Sequence, residues 1–329
     1  MGYIKFDKTQ LINLEYSLKR EILRSNRAGS YAYTTLVGCN TRKYHGLLAC
    51  PIEQLDGGTH MLLSSLDETV IQHNSSFNLA LHRYQGGVYE PKGHKYIRDF
   101  DLEPNLSFVY RVGGVVLKKE LILVTTEERM MIRYTLLDAH SPTKIRFKPF
   151  LAFRNIHSLS KANMDVNRKY TEVENGIKIK LYNGYPNLYM QFSKKVEYVH
   201  VPDWYYNVEY LEEKERGYDY LEDLFVPGYF EMPIRKGEVI VFSAGTQPAV
   251  TRSLNRQFDK EIKSRVERVN FENCLLNAAQ QFIVFKEKRT EIIAGFPWFG
   301  AWGRDTFISL PGLTLSQGKL DVFRDVSIP

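Results

Sequence analysis

Cysteine and tryptophan are scarce in this sequence, with three of each in 329 residues. Cys39, Cys50 and Cys274 are far apart, odd in number and outside any CxxC pair. That excludes a disulfide framework or redox motif and favours a reducing compartment. No window approaches a run of 18 apolar residues, which excludes a membrane-spanning helix. The N-terminus, MGYIKFDKTQLINLEY, lacks the apolar core of a secretion signal. No Lys/Arg block reads as a nucleic-acid footprint, and a net charge of +6 from 44 basic and 38 acidic residues is mild. Gly86-Gly87 and Gly113-Gly114 stand outside any GxxxxGK[ST] or GxGxxG context and read as turns. No second ligand stands at metal-binding spacing from a His, and no cofactor is implied. The expectation is a soluble cytoplasmic protein without metal, cofactor, nucleic-acid or membrane partner.

Aromatic residues are what the sequence has in quantity, 21 Tyr and 19 Phe. Such rings suit the half-buried face of a pleated sheet, and they also suit carbohydrate sites. From about Lys5 to Ala249 the chain reads as short strands broken by Gly, Asn and Pro clusters. VVLKKELILVTT (115–126) and RMMIRYTLL (129–137) form a hairpin pattern; KIRFKPFLAF (144–153), GIKIKLY (176–182), 188–192 and EVIVFSA (238–244) add further strands. This pattern predicts a large antiparallel sandwich. The period changes near Thr251. Phe258, Ile262, Val266 and Val269 recur at helical spacing, Cys274 to Phe285 is a second helical run, and a third is expected to start near Ser309 with Pro311 in its first turn. The expected architecture is mainly β: residues 1–250 an N-terminal β-sandwich, 251–291 a helical linker, and 292–329 the incomplete start of a helical domain. The residues after Ile292 are too few to form such a domain alone, so the chain reads as truncated.

Candidate chemistry concentrates in GFPWFGAWGRDTFISLPGL, Gly295 to Leu313. Trp298 and Trp302 offer planes for the apolar face of a sugar. Arg304 supplies donors and Asp305 acceptors, so the pair can hold two vicinal hydroxyls. Gly300 and Gly303 let the backbone come close to a ligand. The bland alternative is a buried Arg304–Asp305 ion pair among packing aromatics. Asn40, Arg42, Tyr44 and His45 either line the rim of a sugar pocket or form an interface cluster in which His45 satisfies backbone groups. The acidic run EYLEEKERGYDYLEDLF (209–225) either supplies a carboxylate or, as charge patterning favours, is a solvated segment with local ion pairs. Trp204, Tyr205 and Tyr206 are either a sugar platform or loop packing.

FPWFGAWGRDTFISLPGLTL resembles the motif that opens the catalytic domain of glycogen debranching enzymes of the amylo-α-1,6-glucosidase type. NTRKYHGLL (40–48), KPFLAFRNIHSL (148–159) and DWYYNVEYLEEKERGYDYLEDLFVPGYF (203–230) resemble that family's N-terminal domain, in the same order. The resemblance implies a β-supersandwich followed by an (α/α)6 barrel. It implies that Arg304 and Asp305 bind hydroxyls of the terminal glucose and that Trp302 shapes the pocket wall. Both catalytic carboxylates of related barrels lie far downstream of this motif, so neither is assigned here. The implied parent hydrolyses α-1,6-linked glucose stubs of glycogen or limit dextrin with inversion, by a carboxylic acid and a carboxylate roughly 6.5–9.5 Å apart. Without them the chain alone is expected to be inactive. The rival expectation is a non-catalytic α-glucan-binding or assembly module.

Overall fold

The computed structural model describes residues 4–286 and 289–328. Two large sheets, antiparallel throughout, dominate it. A nine-stranded sheet carries the hairpin of Leu106–Val112 and Val115–Leu123 next to Arg129–Asp138 and Val239–Gly245. Gly113 and Gly114, both at positive φ, make the two-residue turn of that hairpin, as the matching right-handed twist requires. The second sheet, of ten strands, is built around Thr59–Gln72, Thr143–Asn155 and Leu221–Ile234.

The sheets pack through aromatic side chains on their inner faces. Phe147 of the second sheet meets Tyr134 and Phe192 of the first at 4.9 and 5.1 Å between ring centroids, and Phe230 meets Phe192 at 5.1 Å. The ten-stranded sheet also buries its outer face. Tyr31, Tyr33, Met61, Phe150, Tyr210 and Val226 form a second apolar cluster there, against which Phe296 packs. This is why Thr59–Gln72 is buried almost without alternation: a sheet covered on both sides needs apolar residues on both.

The helical region departs from its expected boundaries. The first helix is Leu254–Lys263, so Val266 and Val269 lie beyond it. Tertiary bonds override the helical period there: Arg265 donates to the Leu123 carbonyl at 2.7 Å, and Asn277 to that of Val266 at 3.0 Å. The second helix, Phe271–Gln280, is capped by Asn270, whose side chain accepts the Asn273 N–H at 2.8 Å. The chain then turns into the strand Ile283–Lys286, which pairs with Arg289–Gly295. The third helix is Gly303–Leu313, not a helix from Ser309, and Pro311 falls in its last turn. Having no N–H, the proline leaves the Phe307 carbonyl without its usual helical donor, and the Thr314 N–H closes the last turn on the Leu310 carbonyl at 3.0 Å. Among the described residues, no helix is long and apolar enough to cross a membrane, and no His/Cys/Asp/Glu group is arranged to hold a metal ion. All three cysteines are free.

Candidate functional site

The segment 40–48 enters the strand Gly46–Pro51 through Gly46. A Cβ at Gly46 would meet the Met61 sulfur at 2.1 Å, so a larger residue there would require the Met61 side chain to move aside. Just before it, Arg42 turns inward. Its guanidinium pairs with Glu21 at 2.6 Å and with Glu212 at 3.1 Å. His45 is fully buried. Its Nδ1 accepts the Thr41 N–H at 3.0 Å, which leaves the proton on Nε2, facing Glu21 at 3.3 Å. Tyr33 donates its hydroxyl to the other Glu21 oxygen and packs edge-on against the His45 ring at 4.2 Å. Burial alone would raise the Glu21 carboxyl, but the His45 Nε2 beside it and hydrogen bonds from Tyr33 and Arg42 win and hold it at about 2. Burial keeps His45 below its ordinary value, with Glu21 opposing only in part.

Trp298 joins this cluster from the far end of the sequence. Its ring lies edge-on to Tyr33 and Tyr44, 6.5 and 6.0 Å between centroids, while Phe296 lies 6.1 Å from Tyr31. Tyr44 reaches onward to His157, 3.2 Å from hydroxyl to Nδ1. The structure thus brings Arg42, Tyr44, His45 and Trp298 together. Trp302, Arg304 and Asp305 follow directly at the start of the helix Gly303–Leu313 and are exposed. The buried ion-pair alternative for Arg304–Asp305 is excluded by that exposure, and no salt bridge joins the two among the described residues. The cluster contact of Trp298 leaves it 38% exposed, and Trp302 is 60% exposed, so both rings keep a free surface.

Beside Tyr44 and His157 lies an open cleft of about 680 Å³, walled by Lys43, His157, Lys161, Tyr218 and Tyr220. Lys43 donates to the His157 carbonyl at 2.7 Å, and Tyr218 is 57% exposed. Three of the sequence motifs meet here.

The acidic run 209–225 is solvated only in part: residues 214–219 are exposed and Lys214 pairs with Glu209 at 3.1 Å within the run. Glu209, Glu213 and Glu222 are buried. Glu209 holds Arg83 at 2.8 Å, and Glu213 accepts the Lys43 N–H at 3.1 Å. Burial pushes the Glu213 carboxyl above the ordinary range, and Arg42 and Lys43 pull it back only in part. Of the aromatic triplet, Trp204 is buried against Phe225 at 5.3 Å, while Tyr206 is exposed. Sequence reasoning missed Glu21, Tyr33 and His157. His157 lay within a quoted motif; Glu21 and Tyr33 had no local signal, because their partners are distant in sequence.

Residues 20–241 match the family described as glycogen debranching enzyme N terminal, and residues 277–327 match amylo-alpha-1,6-glucosidase. Among solved structures, a bacterial glucoamylase complexed with acarbose aligns at 9% identity and a TM-score of 0.46, over 94% of this chain and 49% of that one. The chain therefore spans about half the length of that glucoamylase. A polysaccharide lyase aligns at 10% identity and a TM-score of 0.25, over 72% of this chain and 34% of that one. The comparison with curated proteins yields no significant match. With the family match spanning more than half its length, the chain belongs to the glycogen debranching enzyme N-terminal family.

Proposed function

We propose that these residues form the sandwich (1–250), linker (251–291) and opening barrel segment (292–329) of a cytoplasmic debranching enzyme. Its substrate is an α-1,6-linked glucose stub on glycogen or a similar α-glucan. The observation that carries this reading is the docking of Trp298 on Tyr33 and Tyr44, with Trp302, Arg304 and Asp305 exposed immediately downstream. The sandwich anchors one end of the loop that presents the sugar-gripping pair. In this role Arg304 donates to, and Asp305 accepts from, hydroxyls of the terminal glucose, and Trp302 covers its apolar face. Arg42 and His45 act one layer behind, through Glu21 and Tyr33.

Hydrolysis with inversion needs an acid for the leaving oxygen and a base for water. None of the 329 residues is assigned either role, so this chain grips glucan without cleaving it. Each missing role costs roughly 10²–10⁴-fold in rate. The test is glucose release from a branched limit dextrin by the 329-residue chain at high concentration. No release, together with retention of the dextrin, is expected. Authentic turnover would place the carboxylates within the chain and overturn this assignment of roles.

A further inference from the structure

Where the linker packs on the edge strand Glu21–Ser25, a small cavity of about 80 Å³ is lined by Arg24, Arg27, Arg265 and Arg268, with no carboxylate in its described lining. Two carboxylates lie near, and both are already engaged. Glu103 takes the Arg268 N–H at 2.7 Å and stands 3.7 Å from its guanidinium. Glu261 accepts from the Thr125 amide and hydroxyl at 3.2 and 2.7 Å. The Arg27 guanidinium lies over the Phe285 ring at 4.8 Å, so two negative charges answer the three remaining guanidinium groups, Arg24, Arg265 and Arg268.

The hydrogen bonds leave the same surplus. Arg268 donates to the Leu102 carbonyl at 3.0 Å and to Asn277 at 2.7 Å, and Arg265 to the Leu123 carbonyl at 2.7 Å. Arg24 gives Nη1 to the Leu23 carbonyl at 3.2 Å, but its Nη2 is buried without a partner among the described residues. One oxygen of Glu103 is left in the same condition. Burial, with repulsion from Arg268 and Arg265, pushes Arg24 down to about 9; burial and Arg268 push Arg265 down to about 10 despite Glu261. Buried guanidinium groups are retained in proteins where an oxyanion compensates them, and their planar forks match tetrahedral oxygens.

We infer that this arginine-lined cavity binds a phosphate dianion, free or carried on a sugar whose remainder lies outside. The cavity has room for one tetrahedral oxyanion and not for a sugar ring. The site stands apart from the Trp298 cluster and does not depend on the function proposed above.

The test is thermal unfolding and calorimetric titration of the chain with inorganic phosphate, and with glucose 6-phosphate, against sodium chloride at matched ionic strength. Phosphate is expected to raise Tm where chloride does not. Arg24→Gln and Arg265→Gln are each expected to weaken binding tenfold or more, about 1.4 kcal/mol. Arg265 stands between two helices and not in a sheet strand, so its variant keeps the test open if Arg24→Gln, in the strand Glu21–Ser25, fails to fold. Tighter binding of glucose 6-phosphate identifies a phosphorylated sugar as the ligand; binding of the inorganic ion alone identifies free phosphate. An equal effect of chloride, or phosphate binding unchanged in Arg265→Gln, overturns the proposal. So does the absence of any phosphate effect, the result expected if Arg24 instead swings onto Glu103.

Discussion

Trp298 lies edge-on to Tyr44, 6.0 Å between ring centroids at an interplanar angle of 67°, although nearly the whole sandwich separates them in sequence. The contact joins the two motifs richest in candidate binding residues. It also separates the two tryptophans that flank the short strand Phe299–Ala301, which pairs with Arg289–Gly295: Trp298 packs on the large sheet, and Trp302 stays exposed.

If Trp298 is the anchor, Trp298→Ala should free the loop without unfolding the sandwich. Two edge-on aromatic contacts and partial burial together are worth about 2 kcal/mol. The expected result is new proteolytic cleavage between Gly295 and Trp302, with the strands of both large sheets still protected from hydrogen exchange. An unchanged cleavage pattern would show that Trp298 holds nothing in place.

Glu21 should make the cluster acid-sensitive. Its folded value of about 2 lies below the ordinary 4.5, so its contribution is fully present above pH 4.5 and disappears as pH falls towards 2. The shift corresponds to on the order of 3 kcal/mol. Glu21→Gln should therefore lose about that much stability at neutral pH. It should also show a shallower decline than the wild type across this window, where Glu120, Glu209 and Glu231 still contribute, as read from urea midpoints at successive pH values. Parallel pH profiles for the two proteins would refute the linkage.

The legible parts of the molecule were those with short-range causes. The hairpin 115–137 showed in its β-branched runs, and the second helix showed as the run from Cys274, although its start at Phe271 behind the Asn270 cap did not. Ile283–Phe285, by contrast, looked helical because its apolar run continued from Cys274. Pairing with Arg289–Gly295 decided its conformation, and no local pattern encodes a pairing. The acidic run misled for the same reason. Glu209, Glu213 and Glu222 read as solvent-facing charges until Arg83, Lys43 and Arg154 arrived from distant strands and loops. At the candidate site, Trp298, Trp302, Arg304 and Asp305 stood out by residue type alone. Glu21 and Tyr33, which connect Trp298 to Arg42 and His45, are ordinary strand residues until the sheet assembles.

The buried pair of Arg154 and Glu222 should be costly to break and cheaper to replace. Glu222 accepts from Arg154, Tyr210 and the amide and hydroxyl of Ser160, while Arg154 also donates to the Lys43 carbonyl at 2.6 Å. Arg154→Met or Glu222→Met alone strands a buried charge, at about 3–5 kcal/mol. The double variant should recover part of that loss in a urea-unfolding cycle. Additive losses would mean the two charges are independently compensated.

Arg304 provides the sharpest test of the sugar grip, because it is exposed and its removal leaves no cavity. In a longer enzyme of the kind proposed, one carrying both carboxylates, Arg304→Ala should lower kcat/KM by about 100-fold or more. That is the loss of two hydrogen bonds from a charged donor at roughly 1.5–3 kcal/mol each, less whatever water restores. The urea midpoint should not move. If the grip strengthens as the glucose ring distorts, kcat carries most of the loss; if it serves the ground state equally, KM does. Near-normal kcat/KM would remove Arg304 from the site. The docking of Trp298 would then have to be explained as packing alone.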